Sequence, residues 1–135
     1  MVLPGIQALF GFQLVAVFNA RFTQLSFLDQ LLHFSALVLV AIATALIMTP
    51  AAYHRQAELG TVSKFFVRMA STIIAIAMVP LMLGLCLDVY ILGALITGRV
   101  AFGVIVAGTL LAFFAALWFA FPWLAPRWRA MVHDE

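Results

Sequence analysis

Pro80-Leu-Met-Leu-Gly-Leu-Cys-Leu-Asp-Val-Tyr90 lies inside an apolar run that extends from Met69 to Ile96. As a helix at about 1.5 Å per residue, a run of that length covers about 42 Å, more than the hydrocarbon core of about 30 Å. It therefore reads as a membrane-crossing helix, and it decides the fold class. The same stretch holds Asp88, the acidic residue placed well inside an apolar run. A carboxylate at the centre of such a helix costs about 2.5–3.5 kcal/mol on insertion scales, so it needs a partner, water or a proton.

The rest of the chain agrees with a membrane class. Its 135 residues are 67% hydrophobic and 9% charged, with a mean hydropathy of +1.19. Soluble domains average about 45–50% apolar and about 25% charged residues. The net charge of +2 comes from basic residues in short segments between apolar runs. There is no clustered basic face of the kind nucleic acid requires, so the expected partner is the lipid bilayer and not nucleic acid. The single cysteine, Cys86, cannot form an intrachain disulfide and reads as a small buried apolar residue. The first apolar segment lacks a positive leader, and Phe18-Asn-Ala20 is a poor cleavage site, so it is expected to be retained as a helix. The missing positive leader also raises the expectation that the natural chain starts earlier.

Working outward, the pattern predicts four helices, at about 3–19, 31–48, 64–97 and 101–124, forming a single domain. This is an all-α, antiparallel four-helix transmembrane bundle with short loops. A further short cytoplasmic helix over 50–59 is expected, with Thr49 as N-cap, Pro50 in its first turn and Gly60 as its stop; continuation of the second helix past Pro50 is the alternative. Ser63 or Thr61 is expected to cap the third helix, and Pro80 to kink it. In the fourth segment Gly108, Ala112, Ala116 and Ala120 recur every fourth position. That small-residue stripe suits packing within the monomer, or contact with a second copy or a larger membrane complex.

Basic residues set the topology. Arg55, Lys64 and Arg68 in the second loop, with Arg127 and Arg129 in the tail, outnumber Arg21 and Arg99 in the other loops. The positive-inside rule then puts both termini in the cytoplasm and Asp88 in the outer half of the bilayer.

Few residues carry chemistry. Gln7, Gln13 and Asn19 are intramembrane amides, but six-residue spacing turns each 240° from the last, so they cannot form one stripe. Pro80, Gly84 and Asp88 share a helix face. A proline-loosened, glycine-lined face ending in a carboxylate is a candidate ion or proton site, with Tyr90, Gln13 and Asn19 as further polar groups. The structural alternative is an ion pair from Asp88 to Arg21 or Arg99, or capping of Asp88 by an amide, to fix helix register. His33 is expected at the interface, not as a ligand, and His54 is four residues from Glu58, on one helical face. No HExxH, CxxC or glycine-rich phosphate loop is present, and no histidine pair at ligand spacing. The expectation is a protein without enzymatic activity, cofactor or metal centre.

Leu3-Pro-Gly-Ile-Gln7, Leu9-Phe-Gly-Phe12, Phe18-Asn-Ala-Arg-Phe22 and Pro50-Ala-Ala-Tyr-His-Arg55 together resemble a family of small four-helix bacterial membrane proteins. That family is known chiefly as a domain of unknown function and is often labelled sodium:proton antiporter. Tyr53, His54 and Arg55 lie in the most specific of these motifs. The resemblance implies four helices, the bacterial cytoplasmic (inner) membrane and, through the label, cation/proton exchange, with Asp88 matching a recurring acidic position. Two functions are carried forward: ion- or proton-coupled transport with Asp88 as the titratable site, and a non-catalytic accessory or structural subunit of a larger membrane complex.

Overall fold

A computed structural model describes residues 3–20, 22–57 and 63–123. Among these residues there are four α-helices and no strand: α1 (Leu3–Val17), α2 (Phe27–Ala57), α3 (Lys64–Thr97) and α4 (Val100–Ala115). A 3₁₀ turn, Phe22–Gln24, lies between α1 and α2, and α4 passes into a π-helical turn, Ala116–Ala120. Three helices are long and apolar enough to cross a membrane: α2, α3, and α4 with its extension to Trp123. At 15 residues α1 is shorter than a spanning helix, about 22 Å against about 30 Å of hydrocarbon. It ends before Asn19 because the amides of Phe18 and Asn19 turn back to Val15 and Ala16 at 3.1 Å each, the tight i→i−3 closure common at helix ends.

The second helix begins earlier and ends later than 31–48. Ser26 caps its start: the Asp29 amide donates to Ser26 Oγ at 3.1 Å, and Ser26 Oγ donates to Asp29 Oδ2 at 2.6 Å. This reciprocal use of a Ser-x-x-Asp segment extends the helix a turn before the apolar run. At the other end α2 runs unbroken through Pro50 to Ala57, so the separate helix over 50–59 is not formed. Thr49 does not act as its cap. Its hydroxyl donates to Ala45 O at 2.9 Å within the continuing helix, a back-bond to the preceding turn. Ser63 does cap α3, its Oγ accepting from the Phe66 amide at 3.0 Å. The α3–α4 loop turns on Gly98 at φ 66°, a left-handed position that glycine adopts without steric cost.

Successive helices pack antiparallel, and glycines set how closely. A Cβ at Gly84 would lie 3.0 Å from both Ala36 O and Val40 Cγ2, so α2 and α3 are in near-backbone contact there. A Cβ at Gly103 would fall 2.6 Å from Tyr90 O, which brings α4 equally close to α3. The core joins Ile6 of α1, Val40 and Ala43 of α2 and Leu81 of α3, with Trp118 of the π turn packed against them. The small-residue stripe is elsewhere: Gly108, Ala112, Ala116 and Ala120 are exposed, and nothing lies within 4 Å of a Cβ at Gly108. Packing within the chain therefore uses Gly103, leaving the stripe on the outer face.

Candidate functional site

The site forms where α1, α2 and α3 meet, toward the Phe27 end of α2 and the Thr97 end of α3. From the glycine contact at Gly84, one turn further along α3 brings Asp88 opposite the turn of α2 that holds His33. His33 Nδ1 lies 3.1 Å from Asp88 Oδ1. Its other ring nitrogen, Nε2, lies 3.0 Å from the backbone carbonyl of Gln13. Gln13 closes the triangle, its Nε2 donating to Asp88 Oδ2. Three helices are thus tied by one amide, one imidazole and one carboxylate. Gln13 is 4% and His33 9% exposed, while the Asp88 side chain is 23% exposed.

These partners fix where hydrogens lie. A backbone carbonyl only accepts, so Nε2 of His33 must carry a hydrogen. Nδ1 faces a carboxylate oxygen, which also accepts when ionised. A hydrogen bond between the two therefore requires one proton, carried on Nδ1 or on Oδ1. Gln13 is oriented the same way: its NH₂ faces Asp88, leaving Oε1 buried and without a partner among the described residues. An orphan acceptor of this kind costs about 1–3 kcal/mol.

A cavity of about 480 Å³ opens above the pair. Gln13, Asn19, His33 and Asp88 provide its polar groups; its walls are chiefly apolar, including Leu9, Phe12, Phe22, Ile91, Leu92 and Leu95. The Phe22 ring meets the His33 imidazole edge-on, with centroids 5.5 Å apart. Among the described residues no lysine or arginine lines it.

The sequence-chosen residues divide accordingly. Asp88, Gln13 and Asn19 come together at this cavity. Gly84 shares the Asp88 face but is occupied in helix packing, and Pro80, half-buried, does not line the cavity. Tyr90 points to a separate cavity beside Asp29. Gln7 is exposed. Arg99 is exposed and caps the backbone start of α4, so the ion pair expected from it to Asp88 is replaced by His33, which reaches the carboxylate from a facing helix. Arg21 lies outside the described residues. Tyr53 and His54 pack on Phe66, at centroid distances of 6.2 and 5.1 Å, and Arg55 is exposed; Glu58 lies outside the described residues.

A family model matches residues 1–122, described as a family of unknown function, DUF6328. The chain belongs to DUF6328. No curated protein and no solved structure matches the chain. Membership of DUF6328 agrees with the uncharacterised family that the sequence motifs resemble, and it carries no antiporter activity with it.

Proposed function

We propose that this DUF6328 protein is a multi-pass protein of the bacterial cytoplasmic membrane that exchanges a cation for one proton held by the His33–Asp88 pair. The observation that supports this most directly is the pair of acceptors facing the two nitrogens of His33. When the shared proton leaves, one ring hydrogen must serve two acceptors. Either the bond to Asp88 or the bond to Gln13 O is lost, which loosens α2 from α3 or from α1. A cation in the cavity restores the lost positive charge beside Asp88. Protonation and ligand occupancy are then alternatives at one carboxylate, which is the minimum requirement for exchange.

The neighbouring titratable groups are few. Between Leu3 and Val17, α1 has none; α2 offers Asp29, and α3 offers Cys86 and Tyr90. The basic residues of loop two and the tail favour cytoplasmic termini. Four helices leave little room for alternating access within one protomer, so a homo-oligomer is expected. Proteoliposomes loaded with a pH-sensitive dye test the proposal. Cation-driven proton flux should be abolished in Asp88→Asn, and flux equal to that of the unaltered protein would overturn it. A second reading, an accessory subunit of a larger complex, is favoured by the exposed stripe on α4 and would appear as stoichiometric co-purification with that complex.

A further inference from the structure

We infer that the ligand of the cavity is a lipophilic organic ammonium ion, bound with its charge beside Asp88 and its apolar body between Phe12 and Phe22. The inference rests on the proton-exchange reading and adds the substrate class. Charge complementarity supports it first. Among the described lining residues Asp88 is the one acidic side chain, and none is a lysine or arginine. Gln13 lines the same cavity beside the carboxylate, its Nε2 donating to Asp88 Oδ2.

The walls then separate organic from inorganic cations. Hard metal cations take about six or more oxygen ligands, whereas this cavity is walled mainly by leucine, isoleucine and phenylalanine. Phe12 and Phe22 present aromatic surface, which attracts organic cations through the ring quadrupole. The cavity volume of about 480 Å³ falls in the usual small-molecule range of about 300–1,000 Å³. In the exchange the ammonium ion enters with its charge intact and the shared proton leaves to water. Charge balances, and no other bond is made or broken.

Calorimetry on the purified protein in lipid nanodiscs tests this, using phenethylammonium, phenethyl alcohol and sodium ion as probes. Repeating the titration in buffers of different ionisation enthalpy counts the protons released. Phenethylammonium should bind saturably, release close to one proton per cation, and weaken roughly tenfold or more in Asp88→Asn. Phe12→Ala, at a residue 74% exposed and so separable from folding, should weaken it severalfold. Equal binding of phenethyl alcohol, or tighter binding of sodium, would overturn the inference. So would the absence of phenethylammonium binding in a protein whose His33 still shows the shared proton, which leaves the exchange reading standing. Cation binding that releases no proton would overturn both.

Discussion

His33 and Asp88 meet between α2 and α3 with Nδ1 3.1 Å from Oδ1, at matching positions in the two helices. His33 lies 24 residues before Ala57, the end of α2, and Asp88 lies 24 residues after Lys64, the start of α3. Two antiparallel helices place such residues side by side, so the pairing is a consequence of helix register.

The pair should therefore be energetically coupled. Asp88→Asn and His33→Ala are each expected to destabilise the protein by about 1–3 kcal/mol, the range for stranding a buried hydrogen-bonding partner. A double-mutant cycle on thermal unfolding in detergent should give a coupling energy of about 0.5–3 kcal/mol. Asp88 with Arg99→Ala should give additive effects, since Arg99 is exposed. Coupling to Arg99 in place of His33 would contradict the structure.

Much of this was legible in the residues. Four apolar runs with short connections state the helix count, and Asp88 declares itself by its cost in an apolar helix. Gln13 could be named as a polar group on the same side of the bundle. The residues offer Asp88 arginines and amides as partners, and the amide of Gln13 does reach it, but His33 does not announce itself as a third. An imidazole near a helix start looks interfacial until the register of α2 against α3 is known. The extent of α2 was hidden for another reason. Pro50 followed by a polar stretch reads as a new helix, whereas buried Pro50 is accommodated inside a continuing one, as happens when neighbouring helices and hydroxyl side chains compensate. Which glycines meet another helix is likewise a three-dimensional fact. Periodicity singles out Gly108, but contact falls to Gly103.

Gly103→Ala should be strongly unfavourable. The added Cβ would stand 2.6 Å from Tyr90 O, and backbone cannot yield as a flexible side chain does. Overpacking of this kind costs about 1–3 kcal/mol. A lowered unfolding temperature in detergent is expected for Gly103→Ala and little change for Gly108→Ala, whose Cβ meets nothing within 4 Å. The reverse order would mean that the stripe, not Gly103, carries packing within the chain.

Gly98→Ala tests the α3–α4 turn. With φ at 66°, an L side chain there is expected to cost about 1–2 kcal/mol. Space is not the issue, because nothing lies within 4 Å of the added Cβ. Unchanged thermal stability in this variant would argue against a left-handed turn at Gly98.

The shared proton is tested most directly by nitrogen NMR of isotope-labelled His33 in lipid nanodiscs, recorded with Asp88 and with Asp88→Asn. Nε2 should be protonated in both proteins, held by the Gln13 carbonyl. Nδ1 should report a bridging proton in the first and lose that signature in the second. A neutral His33 protonated only on Nδ1, with a spectrum indifferent to Asp88→Asn, would contradict the account.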